Sequence, residues 1–266
     1  MAHPSGQRSP LQGRVAVITG ATAGIGEAVA REFVGQGCYC VLNARRQERL
    51  NDLVRELGPE DALAVAGDCC DQKAIDAMLD AGRDGIGNPG HEADAVIVNA
   101  GRGLSGSVLT SDVKQWDEMV RTNIIGAALL IRAAAQRMLA EMERKADALK
   151  KPRDIVVLGS TVGRHISPFS SMYGGTKFAV NSLAEAARRE LGPKGIRVTL
   201  IEPGFVESEF QAVAGYERKW FEEVKGRIGP VLQPADVARS IAFVLSQPAA
   251  VHVSDVLIRP TRQEYP

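Results

Sequence analysis

The sequence has no surplus of either charge. Its 266 residues carry 32 Lys and Arg against 32 Asp and Glu, so it lacks the basic excess from which a nucleic-acid-binding face is built. It has no long apolar run. The longest, Ile124 to Ile131, is far too short to span a bilayer. The stretch from Met1 to Pro10 is polar and does not read as a secretory signal. Cysteine is scarce: Cys38, Cys40, Cys69 and Cys70 form no CxxC pair, and no histidine stands near them at ligand spacing. No metal site is expected, and reduced thiols in a cytoplasmic protein are the default. There is no internal repeat and no linker. These absences leave a small molecule as the expected partner, with no nucleic acid and no membrane.

What is present is alternation. Short apolar runs at Val15–Thr19, Tyr39–Asn43, Ala62–Ala66, Ala95–Val98, Ile155–Leu158, Val198–Ile201 and Val253–Ile258 read as strands. Helical patterns separate them: after Gly26 to Phe33, Gln47 to Leu57, Ala74 to Leu79, a long and interrupted stretch over Ser111 to Ala148, the Tyr173 region to Leu191, and Pro234 to Ser246. Strand–helix alternation predicts βαβ units. Strands apolar on both faces predict a parallel sheet covered on both sides. The expected fold is a single-domain, Rossmann-type, doubly wound α/β sheet of about seven strands. It is expected to span 13–266, after a flexible lead-in over 1–12. The segment 205–233, with Trp220 and Phe221, shows no clear strand and is expected to be a substrate loop.

The first strand runs into Thr19-Gly20-Ala21-Thr22-Ala23-Gly24-Ile25-Gly26. Glycines there permit a tight turn and let backbone N–H groups approach a pyrophosphate at the positive end of the next helix. The spacing is Gly-x-x-x-Gly-x-Gly, which differs from the commonest dinucleotide fingerprint. The second strand should deliver an acid to the adenine ribose of NAD. Here it ends Asn43-Ala44-Arg45-Arg46. A carboxylate repels a 2′-phosphate, whereas a guanidinium binds it bidentately. NADP(H) is therefore the expected cofactor, with NAD(H) as the alternative.

Tyr173 and Lys177 stand four apart, with Ser160 upstream. At that spacing on a helix the two share one face. Free tyrosine titrates near pH ~10, and a neighbouring cation favours the phenolate. Lowering the value by ~3 units takes about 4 kcal/mol. The expectation is an acid/base tyrosine tuned by Lys177, with the Ser160 hydroxyl aimed at the same substrate oxygen.

In order and spacing these motifs closely resemble the classical short-chain dehydrogenases/reductases. The likeness runs from about Gly13 to the C-terminus and includes Asp68, Asn99-Ala100-Gly101, Asn123 and Pro203-Gly204. It departs at Val98, where the family has Asn, and at Ser208, where it has Thr. The resemblance implies the following roles. Thr22, Ala23 and Ile25 lie with Gly20, Gly24 and Gly26 in the phosphate turn. Asp68 caps the adenine amino group, with the Cys69 backbone beside it. Asn99, Ala100 and Gly101 line the adenine-ribose side. Asn123 holds a proton relay behind Lys177, which binds the nicotinamide ribose. Pro203, Gly204, Val206 and Ser208 flank the nicotinamide. The implied activity is reversible hydride transfer to or from a small carbonyl or alcohol, with a cofactor-binding regulator as the alternative.

Ile258-Arg259-Pro260-Thr261 resembles family members that act on polar compounds such as hydroxy acids. Arg102, Arg164 and His165 follow the motifs closely enough to be candidates for holding an anionic substrate. The long helical stretch is more apolar than one sheet-covering helix needs, with Ile124, Ile125, Leu129, Leu130 and Ile131. Together with the resemblance it implies a homo-oligomer, a tetramer or dimer.

Overall fold

The seven strands form one parallel sheet in the order β3-β2-β1-β4-β5-β6-β7. The computed structural model describes residues 9–264. The strands are β1 Val15–Thr19, β2 Tyr39–Ala44, β3 Ala62–Ala66, β4 Ala95–Val98, β5 Asp154–Leu158, β6 Arg197–Pro203 and β7 Asp255–Ile258. Between them run α1 Gly24–Gly35, α2 Gln47–Leu57, α3 Gln72–Asp80, α4 Trp116–Val120, α5 Ala127–Lys145, α6 Ser171–Leu191, α7 Phe210–Val213, α8 Arg218–Ile228 and α9 Pro234–Leu245.

Period-two alternation along each strand feeds two separate cores. Ala16 and Ile18 of β1 face the layer of α1, α2 and α9, where Phe33, Leu50 and Ile241 are fully buried. Val15 and Val17 face α3, α5 and α6, with Met78, Leu130, Met138 and Val180. Each such side chain contributes about 1.5–3 kcal/mol by leaving water. Both faces of the central strands are apolar because both are covered. The edges differ: β3 and β7 are largely half-exposed.

The expected lead-in over 1–12 is corrected at its end. Residues 1–8 lie outside the described residues, but Leu11 is fully buried in the first core. The segment expected as a substrate loop over 205–233 has no strand and contains α7 and α8. Its base is closed by backbone bonds from Leu232 N–H to Phe205 O at 3.0 Å and from Glu207 N–H to Leu232 O at 2.9 Å. Phe221, Val224, Ile228 and Val231 give this excursion a small core of its own. The long helical stretch is interrupted by a wider, π-type turn over Arg121–Gly126. No helix among the described residues is long and apolar enough to cross a membrane.

Opposite the strands' carboxyl ends, a buried ion cluster fastens the sheet. Asp154 is 1% exposed. It accepts from Arg14 Nη2 at 2.7 Å and from Arg197 Nε at 2.7 Å. Strand order reverses between β1 and β4, and that is where an open α/β sheet leaves a crevice at its carboxyl edge.

Candidate active site

A cavity of about 790 Å³ lies along the carboxyl ends of β1 to β6. Its walls come from the segment that follows each strand, which is why motifs far apart in the chain meet there.

The glycine turn forms one end. Gly20 has φ +66° and Gly24 φ +56°, conformations an L side chain rarely adopts. Gly26 serves another purpose. A Cβ there would sit 2.3 Å from the Gly20 carbonyl oxygen and 2.5 Å from Asn99 Nδ2. Its hydrogen lets α1 close against the turn, and it packs behind the cavity rather than lining it. Asn99 Nδ2 donates to Thr19 O at 2.8 Å, and the Thr19 hydroxyl accepts from the N–H groups of Asn99 and Ala100, each at 3.1 Å. These bonds hold the ends of β1 and β4 together beneath the turn. Thr22, Ala23, Gly24 and Ile25 face the cavity, at the N-terminal, positive end of α1.

Arg45 and Arg46 line the same cavity just past β2. Arg46 donates to the Thr22 hydroxyl at 3.3 Å, and Arg45 to Glu118 at 3.1 Å. Asn43, their neighbour, also lines the cavity, and its amide donates to Val65 O at 2.9 Å. Asp68 and Cys69 line the wall after β3. Asp68 Oδ1 accepts from the Cys70 N–H at 2.9 Å. Burial, helped by Cys70 and Asp68, pushes the Cys69 thiol up to about 12.

At the other end stand Ser160, Tyr173 and Lys177. Ser160 is extended at the end of β5, and its hydroxyl accepts from Val162 N–H at 3.3 Å. It also lies close enough to the Tyr173 hydroxyl to favour its ionised form. Tyr173 is buried against Leu104, Met119 and the Phe210 ring, whose centre is 5.5 Å away. Lys177 Nζ lies 5.8 Å from the centre of the Tyr173 ring and donates to Leu158 O at 2.7 Å. The spacing of four thus puts phenol and ammonium on one face, as expected. The expected lowering of the phenol's pKa is not what the surroundings impose. Burial pushes Tyr173 up, opposed by the Ser160 hydroxyl. Burial also pulls Lys177 down to about 8. Both shifts disfavour the charged form, as desolvation must.

Asn123 stands behind the cavity wall. It is buried and does not line the cavity. Its amide donates to Arg102 O and to the Thr176 hydroxyl, each at 2.9 Å, and its Oδ1 accepts from Arg102 N–H at 2.9 Å. These bonds tie the β4 end to α6. A Cβ on Gly101 would stand 3.2 Å from Asn123 Oδ1 and 3.8 Å from Lys177 Nζ.

The remaining wall comes from α7, α8 and the segment before α6. Pro203, Gly204, Val206 and Ser208 lead into it. Ser208 Cβ would meet a Cβ on Gly24 at 3.3 Å, so the excursion reaches over the glycine turn. Of the three candidates for an anionic substrate, only Arg102 lines the cavity. It is bonded to Glu118, and to Gln115 at 2.6 Å. Arg164 instead bonds the buried Glu202, and His165 Nε2 is 3.1 Å from Arg259. Sequence reasoning did not single out Ser167, Phe169, Ser170, Phe210 and Tyr216, all of which line the cavity. The serines sit in a short polar run that reads as an ordinary turn.

The model of the family described as "short chain dehydrogenase" matches residues 14–219. An uncharacterised oxidoreductase of Staphylococcus epidermidis is 32% identical over 248 residues, 93% of this chain and 97% of that protein. A solved serine dehydrogenase complexed with NADP+ superposes with a TM-score of 0.81 at 31% identity, covering 94% of this chain and 96% of that one. A 3-ketoacyl-(acyl-carrier-protein) reductase from Brucella melitensis complexed with NADH gives a TM-score of 0.81 at 29% identity, covering 95% and 99%.

Proposed function

The chain belongs to the short-chain dehydrogenases, a family of oxidoreductases, and on that premise we propose that it exchanges hydride reversibly between NADP(H) and the carbon of a small ketone, aldehyde or secondary alcohol. The observation that carries this reading is the meeting of Ser160, Tyr173 and Lys177 at one end of a continuous cavity whose other end is a glycine turn. A bound nicotinamide supplies the hydride.

The residues fit a dinucleotide on grounds of shape. Side chains at Gly20 and Gly24 would be strained, and the positive end of α1 opens onto the cavity between them. Thr22, Ala23 and Ile25 would hold the pyrophosphate. Asp68 and Cys69 would meet the adenine, and Ala100 and Gly101 its ribose side. Pro203, Gly204, Val206 and Ser208 would flank the nicotinamide. The choice of NADP(H) over NAD(H) is supported by Arg45 and Arg46 in the wall where an acid would otherwise stand. Arg45 is paired with Glu118 but remains highly exposed. An exposed pair is worth about 0–1 kcal/mol, so a phosphate can displace it.

The chemistry assigned to this chain's own residues follows from their surroundings. Burial keeps the proton on the Tyr173 hydroxyl at neutral pH, which is the form that protonates a carbonyl oxygen during reduction. Ser160, which lines the cavity beside that hydroxyl, donates to the same oxygen as charge develops. Lys177 titrates at about 8 and is mostly cationic at neutral pH. It stabilises the phenolate once Tyr173 has given up its proton, and its other N–H bonds are free for a ribose hydroxyl. The Tyr173–Lys177 pair therefore matters for the charge that forms during the step. The deciding assay follows absorbance of reduced cofactor with a panel of ketones, aldehydes and keto acids. Binding of both cofactors without any turnover would favour a regulator.

We also assign a dimer or tetramer, supported by the exposed Ile125 and Phe178 beside α5 and on α6. Light scattering tests it, and a monomeric mass would overturn it.

A further inference from the structure

Beyond Ser160 and Tyr173 the cavity holds a second group of hydroxyls. Gly215, with φ +76°, turns the chain after α7 and presents Tyr216. The Tyr216 ring stacks on Trp220, with centres 5.0 Å apart and planes at 17°. Its hydroxyl lies near enough to Ser170 for the serine to oppose the rise that burial gives the phenol's pKa. The Ser170 and Ser167 hydroxyls are 3.0 Å apart. Ser170 is 3% exposed, and all three residues line the same cavity as the catalytic pair.

The position of Tyr216 is fixed from below. Ser105 N–H donates to Ala214 O at 2.8 Å, and the Ser105 hydroxyl donates to Gly215 O at 2.9 Å. Gly103 makes room for the same turn: a Cβ there would stand 2.3 Å from Phe210 Cζ. Tyr216 lines the same cavity as Tyr173.

The chemistry of this second group is neutral. Hydroxyl groups rotate, so the open end of a Ser167–Ser170–Tyr216 chain offers either a donor or an acceptor. Phe169, Phe210, Val162 and Trp220 supply apolar wall beside it. Apart from Lys177, which the reaction itself uses, the guanidinium that follows β4, Arg102, is already held by Glu118 and Gln115. Arg227, on α8, is solvent-exposed at the rim, where hydration weakens its hold on an anion.

We propose that Tyr216 and Ser170 form a recognition site for a second, uncharged oxygen of the substrate. The protein then selects ketones or alcohols that carry another carbonyl, ester or hydroxyl oxygen a few atoms from the reacting carbon. This rests on the oxidoreductase reading of Ser160, Tyr173 and Lys177. It replaces the expectation of an anionic substrate by a neutral, doubly oxygenated one.

The test compares ethyl acetoacetate, methyl propyl ketone and the acetoacetate anion on the full chain and on Tyr216→Phe, which keeps the ring stacked on Trp220. Binding is read from quenching of Trp220 fluorescence, with Trp220→Phe giving the Trp116 background. The expected result is a Kd for the ester about tenfold below that of the plain ketone, and about tenfold weaker ester binding in Tyr216→Phe, by the energy of one hydrogen bond. In turnover, the same variant raises KM for the ester far more than it lowers kcat. Equal binding of ester and plain ketone, an equal loss for both in the variant, or tighter binding of the anion than of its ester would each overturn the proposal. If the ester preference and its loss appear in fluorescence while no ketone is reduced with either cofactor, the recognition site stands and the catalytic reading fails.

Discussion

Lys177 Nζ stands 5.8 Å from the centre of the Tyr173 ring and donates to the Leu158 carbonyl at 2.7 Å. That bond anchors the ammonium to the end of β5, the strand that also delivers Ser160. Acid and cation therefore sit on one helix, while the strand beneath them fixes the distance between them. Both are buried, so each resists its charged form until the other is charged. A proton leaving Tyr173 creates the anion that makes the cation worth keeping.

Tyr173→Phe removes the proposed proton donor and keeps the ring against Phe210. We expect kcat for carbonyl reduction to fall about a hundred- to ten-thousandfold. NADPH affinity, read by fluorescence of the reduced cofactor, should change little. Turnover comparable to the wild type would remove Tyr173 from the mechanism.

Lys177 also leaves a mark on stability. An unfolded lysine keeps its proton up to pH 10.5, whereas folded Lys177 releases it at about 8. Between those values the unfolded chain binds more protons, so stability rises with pH. Below pH 8 the fold carries the full cost of a buried ammonium, of order 3 kcal/mol at ~1.4 kcal/mol per unit. Lys177→Met should therefore raise the urea midpoint at pH 7, and the gain should shrink towards pH 10. It should abolish turnover at both. A variant that is less stable at pH 7 would show that the Leu158 bond outweighs the burial of charge.

The parts of this molecule that sequence conveys best are those set by local rules. The strand β1 at Val15–Thr19 and the helix α2 at Gln47–Leu57 match their expected bounds residue for residue, because apolar runs and helical periodicity are local. The excursion over 205–233 was harder. In α8 the buried Phe221, Val224 and Ile228 do share a helical face, but Glu222, Glu223, Lys225 and Arg227 lie between them and dilute the pattern. Site residues tied to a motif were placed on the cavity wall, while Gly26 and Asn123 turned out to stand behind it. Sequence spacing says which segment a residue belongs to, and only packing says which way it points. Arg164 shows this most plainly. It lies four residues past Ser160, yet Glu202, buried without a charge partner on its own strand, draws it out of the cavity. The direction of the Tyr173 shift was likewise illegible, because burial depends on Phe210, Leu104 and Met119, from three distant segments.

Cofactor choice is tested by reversing charge at the β2 end. A guanidinium bonded to phosphate contributes about 1.5–3 kcal/mol, and a carboxylate adds repulsion. Arg45→Asp and Arg46→Asp should each weaken NADP(H) binding by about tenfold or more relative to NAD(H) binding measured alongside, read as the ratio of dissociation constants by fluorescence titration. Arg46→Asp should have the larger effect, since Arg46 already reaches the Thr22 hydroxyl in the phosphate turn. An unchanged ratio in both would assign these arginines to the surface and leave the cofactor preference without a cause in β2.

Two carboxylates separate charge that holds the fold from charge that decorates it. Asp154 sits between Arg14 and Arg197, all three nearly inaccessible to water. Asp154→Asn keeps the shape but leaves buried Arg197 with no carboxylate and Arg14 with only the more distant Asp94, which costs about 3–5 kcal/mol. Glu185 bonds Arg188 and Arg189, and those partners hold its carboxyl down at about 2. Its pKa shift is large, but it lies on the surface, where water and salt screen the pair. Glu185→Gln should leave the urea midpoint where it was, while Asp154→Asn lowers it sharply with the slope unchanged. If the two variants unfold alike, the Arg14–Asp154–Arg197 cluster is not what fastens the amino-terminal ends of the strands.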